Sequence, residues 1–216
     1  MAKTSLSDSI YEKVLERIIH CHYRPGSLIS EEQLVHELNA SRTPIRSALI
    51  RLQQDNLVQI LPKKGILVTE ITPNSIRDLY NLRELIEFYA IENFGLTFPK
   101  EQLMKYLSEF SPACENTSLN QTIDADARFH IDIVGLTGNE LLCSYYRSMQ
   151  YHLVRTSYIS GHYTKGRLAV SNNEHRDIIL ALLKDDLATA TETLRSHLKR
   201  SRDIAYQSIL NLPETQ

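Results

Sequence analysis

Apolar residues recur at helical spacing along most of this chain, and the main interruption, between residues 57 and 69, reads as two short strands. Leu6, Ile10, Val14, Ile18 and Ile19 form the stripe of a first helix, which Arg24-Pro25-Gly26 stops. Ser30-Glu31-Glu32-Gln33 has the form of a capping box, with Ser30 placed to accept from the third helical N–H and Gln33 to reach back. It opens a short helix whose apolar side is Leu34, Val35 and Leu38. Asn39-Ala40-Ser41 then makes a three-residue turn, with Asn39 tolerating a left-handed backbone. In the next helix Pro44 suits the first turn, Ser41 or Thr43 can cap, and Ile45, Ala48, Leu49 and Leu52 face inward. Two helices joined in this way predict a helix-turn-helix.

Leu57-Val58-Gln59-Ile60-Leu61 and Ile66-Leu67-Val68-Thr69 predict two strands joined by Pro62-Lys63-Lys64-Gly65, a hairpin with a basic tip. Ile71-Thr72-Pro73 marks a boundary, with Thr72 as N-cap and Pro73 at the first helical position. Beyond it the helical period continues over 74–96, 99–110, 120–136, 139–160, 166–184 and 186–210, with no convincing strand. The expected fold is mainly α: a winged helix-turn-helix of three helices and a two-stranded wing over residues 1–71, then an all-α antiparallel bundle over 72–216.

Charge sharpens the first half of this picture. The 216-residue chain has a formal net charge of -2, yet residues 40–64 carry five basic side chains (Arg42, Arg46, Arg51, Lys63 and Lys64) and one acid, Asp55. Arg42 and Arg46, four apart, project together from the opening turns of the third helix toward a groove, and Arg51 further along suits a phosphate. Lys63 and Lys64 at the wing tip suit phosphates or a minor-groove edge. A solvated surface helix and lysines protecting a sheet edge are the plainer readings, and each loses ground because the other feature is present. A slightly acidic protein can bind DNA through one basic face. Cys21, Cys114 and Cys143 lack CxxC spacing and are expected to be reduced thiols. No apolar run is long enough for a bilayer and no signal-peptide core opens the chain, so the expectation is a cytoplasmic protein with no membrane partner.

Histidine placement brings a second chemistry. Asp126 and His130 lie at i and i+4 on one helix face, within reach of a single ion, although such a pair alone is more often a surface hydrogen bond. His175 precedes Ile178, Ile179 and Leu182 at helical spacing, and His197 lies between Leu194 and Leu198, so both sit on inward stripes where an unpaired imidazole is costly. Three imidazoles and one carboxylate inside a bundle suit a divalent transition metal, zinc first and nickel or manganese next. A six-coordinate ion would leave two positions for water or a ligand, and a tetrahedral zinc would leave none.

With these residues assembled, the chain resembles a known family. Pro25-Gly26, Leu34, Leu38 and the run Ser41-Arg42-Thr43-Pro44-Ile45-Arg46 through Ala48-Leu49, Leu52 and Leu57-Val58 are similar to the winged helix of GntR-family bacterial transcription regulators. Asp126-x-x-Phe129-His130, Thr137-Gly138-Asn139, Glu174-His175 with Ile178 and Ala181-Leu182, and His197 resemble the FadR-type ligand-binding domain called FCD. The resemblance implies a homodimer on a roughly palindromic double-stranded operator, modulated by a small metabolite entering the helical body. It also implies that Asp126, His130, His175 and His197 hold the ion and that the effector is a carboxylate. Arg42 and Arg46 would touch bases, Thr43 and Arg51 the backbone, and Lys63, Lys64 and Gly65 would form the wing contact. Arg83 matches an arginine that faces the cavity in relatives and is the candidate for the effector carboxylate, with an i+4 salt bridge to Glu87 as the alternative. Arg155 and Tyr158 are further effector candidates. Asn39, where relatives carry glycine, Ala40, where they carry valine, and the short segment 111–122 depart from the family pattern.

The expected function is therefore a DNA-binding repressor whose operator affinity responds to a carboxylate bound at a metal. Two alternatives are a regulator for which the ion itself is the signal and a metalloenzyme whose ion activates water. Against the enzyme stands the lack of a general-base motif, Glu174 excepted.

Overall fold

The structure, a computed structural model, describes residues 5–111, 118–163 and 166–210, with the side chains of 161–163 outside the description. Cys114 lies outside the described residues, as does half of the 111–122 segment. The chain divides into two compact units, Met1–Ile71 and Thr72–Gln216.

In the first unit α1 (Leu6–Ile19) opens on a capping box in which Ser5 accepts from the Asp8 amide and Asp8 accepts from the Ser5 amide. Its buried face is Ile10, Tyr11, Val14, Leu15 and Ile18, and it packs on α3 (Arg42–Gln54). Leu6, expected on this stripe, is 62% exposed at the first helical position, and Ile19 is only half-buried. In α2 (Glu31–Leu38) Ser30 caps the Gln33 amide at 3.0 Å. The expected box is half-formed, because the Gln33 side chain does not reach back to Ser30 and its Nε2 donates instead to Glu37 Oε1 at 2.7 Å. Asn39 ends α2 in the left-handed region (φ 46°, ψ 51°), the conformation that lets the chain turn within three residues.

The wing has three strands, not the two expected. β1 (Leu28–Ile29), β2 (Val58–Leu61) and β3 (Gly65–Val68) form an antiparallel sheet in the order β1-β3-β2, with Ile29 opposite Ile66 and Leu61 opposite Gly65. Two residues are too few to carry a period, so β1 left no trace in the sequence pattern. Its approach explains Gly65: at φ 115° a Cβ there would lie 2.8 Å from the Ile29 carbonyl oxygen.

The second unit is helical throughout its described residues. It comprises α4 (Pro73–Phe94), a 3₁₀ turn (Gly95–Thr97), α5 (Lys100–Glu109), α6 (Leu119–Gly135), α7 (Glu140–Tyr163), α8 (Arg167–Leu183) and α9 (Leu187–Leu210). Thr72 caps α4 reciprocally with Ser75, and Pro73 occupies the first helical position, as its fixed φ favours. α9 packs along α4, α7 and α8, while α6 lies against α4 and α7. Phe98, Tyr106, Phe110 and Phe129 fill the α5–α6 side of this body, with the Phe110 ring centroid 4.6 Å from that of His175 and tilted against it. The polar groups described below are thus walled from water on that side by aromatic carbon. No helix among the described residues is long and apolar enough to cross a membrane.

Candidate DNA interface and metal centre

On α3 the inward positions Ile45, Ala48, Leu49 and Leu52 leave an outer face that runs through Thr43, Ser47 and Ile50, all exposed. Arg42 and Arg46 border this face on one side, each more than 60% exposed at the side chain. The Arg46 guanidinium is forked onto Glu31, its Nε 3.1 Å from both carboxylate oxygens, and Arg42 lies 3.6 Å from Glu32. The first turn of α2 therefore positions both arginines. Ser41 is the N-cap of α3 but makes no side-chain cap bond, and the physical reason is Pro44: the third helical residue has no N–H to offer.

Arg51 lies apart from Arg42 and Arg46. Its position on the helix is about half a turn from Arg42, and its guanidinium is bound to Asp8 at 2.7 Å and stacked 4.0 Å over the Tyr11 ring. Those contacts brace α3 against α1 and differ from the backbone contact expected for Arg51. At the wing tip, the Lys64 amide closes a turn on the Leu61 carbonyl at 3.0 Å, and both Lys63 and Lys64 are exposed. Lys63 holds φ 62°, an uncommon conformation for a side chain of its length. Periodicity alone could have pointed to Ser47 and Ile50, because they fall opposite the buried stripe; Ile50 is 53% exposed there.

In the second unit the ligand atoms of Asp126, His130, His175 and His197 all lie within 4.8 Å of one another. α6 supplies the first two, α8 the third and α9 the fourth. All three imidazoles are buried, and Asp126 is partly open. His175 Nε2 is 3.2 Å from His130 Nε2 and 3.2 Å from Asp126 Oδ1. Two donors each ~2.1 Å from a tetrahedral or octahedral ion lie ~3.0–3.4 Å apart, so both pairs have the spacing an ion requires. The point where these atoms meet suits either a proton on His175 Nε2, shared by the other two, or a cation.

Behind the imidazoles stand two carboxylates that the sequence had not assigned to this role. Glu87 Oε2 lies 2.6 Å from His130 Nδ1, and Glu174 Oε2 lies 2.7 Å from His197 Nδ1. A carboxylate can only accept, so each fixes the imidazole proton on Nδ1 and turns the Nε2 lone pair inward, the arrangement that supports metal-bound histidine. Burial, and next the neighbouring imidazole (His197 for His175, His130 for His197), hold both His175 and His197 well below the usual range, so both are neutral donors. Burial works to raise the Glu87 carboxyl, but Arg83 and His130 hold it below the ordinary carboxylate range. The residues present fit a divalent transition metal.

Of the two contacts that the sequence left as alternatives, Arg83 makes the i+4 salt bridge to Glu87. Its Nε donates to Glu87 Oε1 at 2.7 Å, and Tyr146 donates to the same oxygen at 2.5 Å. Its Nη2 is buried without a hydrogen-bond partner, and the residue lines a cavity with Asp126 and His197. Arg155 and Tyr158 do not line that cavity; α7 presents Ser157 and Ser160 to it instead, while Arg155 is fully buried. Arg167, unnoticed in the sequence, also lines it. Glu174 is engaged by His197, Arg167 and Arg200, which removes the one candidate for a free general base.

An outward-facing arginine helix beside a basic wing, joined to a helical body, defines a winged-helix DNA-binding protein. Residues 6–68 match the model of the gntR family of bacterial regulatory proteins, and residues 78–200 match the FCD domain. The chain belongs to the GntR family, with an FCD C-terminal domain; it is a transcriptional regulator that binds operator DNA, and it is not an enzyme. Among its relatives, the Nta operon transcriptional regulator of Aminobacter aminovorans is 30% identical over 78% of this chain and 80% of its own. The transcriptional repressor RspR of Escherichia coli K12 is 26% identical over 90% of this chain and 86% of its own. A GntR structure from Rhodococcus sp. RHA1 shares the fold, with a TM-score of 0.78 and 21% identity over 96% of this chain and 99% of that one. The Zn2+-bound FCD domain of TM0439 superposes with a TM-score of 0.51 at 25% identity, covering 67% of this chain and 99% of that one.

Proposed function

We propose that this regulator is a repressor whose grip on its operator is set by a small carboxylate taken up beside a divalent metal in the FCD domain. The observation that carries the reading is one cavity in which Asp126, His197 and the unpartnered Arg83 Nη2 share a wall, with His130 and His175 completing the donor cluster behind it. Asp126, His130, His175 and His197 would hold the ion, zinc first and nickel or manganese next. The Zn2+-bound FCD domain of TM0439 supports the choice of zinc. When bound, the ion supplies an electrophilic anchor for a carboxylate oxygen. Arg83 adds a hydrogen-bond donor aimed at the same carboxylate, in a setting where Glu87 already fixes its orientation.

Arg83 and Glu87 both sit on α4, the helix that follows directly from Ile71-Thr72, so a ligand drawing on Arg83 acts on the element that continues from the DNA-binding unit. In a homodimer the two reading helices address half-sites ~34 Å apart, and a shift of a few Å in their separation loses base contacts. Arg42 and Arg46 would read bases, Thr43 and the open N-terminus of α3 would take a phosphate, and Lys63 and Lys64 would hold the flanking backbone.

The test is fluorescence anisotropy on a duplex selected by the protein from a random pool, with zinc-loaded and chelator-stripped protein, against a panel of small carboxylates. A shift in duplex affinity by a carboxylate that requires the loaded metal supports the reading. Release on chelation with no response to any carboxylate would assign the signal to the ion itself.

A further inference from the structure

Arg167 is the first residue of α8, behind a left-handed Gly166 at φ 79°, and it is 92% buried with 8% of its surface exposed. It lines the same cavity as Arg83, Asp126 and His197. Its one short contact is neutral, Nη2 donating to Ser201 Oγ at 2.6 Å. Its contacts with an acid are long, Nη1 and Nη2 lying 3.4 and 3.5 Å from Glu174 Oε2. Glu174 is more closely held elsewhere, by His197 at 2.7 Å and by Arg200 at 3.0 Å. Arg83, by contrast, meets Glu87 at 2.7 Å. A guanidinium taken out of water and only loosely compensated is costly, and a site that keeps one is poised for an anion.

Charge matching points the same way. The three acids around the cluster, Asp126, Glu87 and Glu174, are equalled in number by three arginines, Arg83 on Glu87 and Arg167 and Arg200 both on Glu174, while Asp126 faces His175. A divalent ion at the histidines therefore brings two positive charges that no side chain around the cluster offsets, and a monocarboxylate would offset only one. Beside the apolar Ile123, Leu168 and Ile204, the wall carries Ser157 and Ser160 from α7 and Ser171 and Asn172 from α8, groups that can hydrogen-bond the polar ends of a ligand. The Tyr80 hydroxyl, in the same wall, lies within the field of both guanidinium groups.

We infer that the ligand of this cavity carries two carboxylates, one taken by the metal and Arg83 and the other by Arg167 with Ser201. The inference rests on the metal-and-carboxylate reading above and adds to it the second anchor. Binding would also draw Arg167 off Glu174, the carboxylate that orients His197, so that ligand affinity and metal affinity are coupled in both directions.

The experiment is calorimetric titration of the zinc-loaded full-length protein with α,ω-dicarboxylates of increasing length, with the monocarboxylates of matching length, and with inorganic phosphate. The best dicarboxylate should bind about tenfold or more tightly than its monocarboxylate partner, the size of one charged hydrogen-bonded contact. Arg167→Gln should collapse that ratio to below about threefold, and Arg167→Lys, which keeps the charge but not the fork, should leave it intermediate. Ser201→Ala, a smaller perturbation, should lower the ratio as well and keeps the test available where Arg167→Gln does not fold. A wild-type ratio near one with monocarboxylate bound would overturn the second anchor and leave the first reading standing. A ratio unchanged in Arg167→Gln would overturn the role of Arg167, and phosphate binding as tightly as any dicarboxylate would overturn two-point capture. No carboxylate bound to the zinc-loaded protein would overturn both readings.

Discussion

Glu87→Gln is the most informative single perturbation of the FCD core, because it changes two atoms' chemistry with almost no change of shape. Glu87 is fully buried and serves three donors: Arg83 Nε and Tyr146 OH on Oε1, at 2.7 and 2.5 Å, and His130 Nδ1 on Oε2, at 2.6 Å. An amide has only one accepting oxygen. If its nitrogen faces His130, two N–H groups meet and the imidazole must give up its Nδ1 proton; if it faces Arg83, a buried cation loses the acid it is paired with. Removing one member of a buried ion pair costs about 3–5 kcal/mol. At ~2–4 °C per kcal/mol for a chain of this size, thermal unfolding should fall by roughly 6–20 °C. Losing the group that orients a metal-bound histidine should weaken zinc binding by about 10–100-fold. Calorimetric melting of stripped and zinc-loaded protein measures both. Arg83→Met combined with Glu87→Gln should melt above Glu87→Gln alone, since the uncompensated cation is gone. A Glu87→Gln protein that melts within about 2 °C of the wild type and binds zinc with unchanged affinity would refute the assignment.

Three further outcomes follow from the DNA-binding unit. Arg46→Ala should weaken operator binding by ~1–3 kcal/mol, the worth of a bidentate base contact, whereas Arg51→Ala should act mainly on stability through its lost Asp8 and Tyr11 contacts; duplex anisotropy and urea melts of both variants separate the two roles. Lys63→Gly should stabilise the unit by up to about 1 kcal/mol by relieving its positive φ, yet lower duplex affinity and flatten its salt dependence; a variant that loses stability would contradict the turn geometry. The Glu37 carboxyl is held below its usual range by hydrogen bonds from Tyr23 and Gln33. Its contribution is therefore full above the ordinary carboxylate range and is lost as pH falls through the lowered value, so the gap between wild type and Glu37→Gln in urea melts should be wide at neutral pH and shrink below ~pH 4.

The readable and unreadable parts of this molecule divide by how local their causes are. The six helices of the FCD unit ended within about three residues of their expected bounds, because caps such as Thr72-Pro73 and the long apolar period act within a few residues of each boundary. Asn39 was legible for the same reason. β1 was not, since two residues pair with β3 only once the chain has folded back. The contact of Arg51 with Asp8 was not legible either, because Asp8 lies 43 positions away and on another helix. Ser41 lacks its cap bond because of a proline three residues on, a local cause that spacing alone had masked. In the metal cluster the four donors stood out by type and inward register, but Glu87 and Glu174 behind them did not, because the period of a helix says which face is buried and not which imidazole a carboxylate meets. Arg155 and Tyr158 illustrate the same limit: their helix borders the cavity, but the residues it turns toward it are Ser157 and Ser160.

Metal content tests the central claim most directly. The account predicts that the full-length protein, loaded with zinc, desalted and analysed by inductively coupled plasma mass spectrometry, retains about one ion per chain, as four converging protein donors should. It predicts that His175→Ala with Asp126→Asn, which removes two of those donors, retains almost none. An unloaded wild type, or a variant that keeps as much zinc as the wild type, would contradict the metal-centred account.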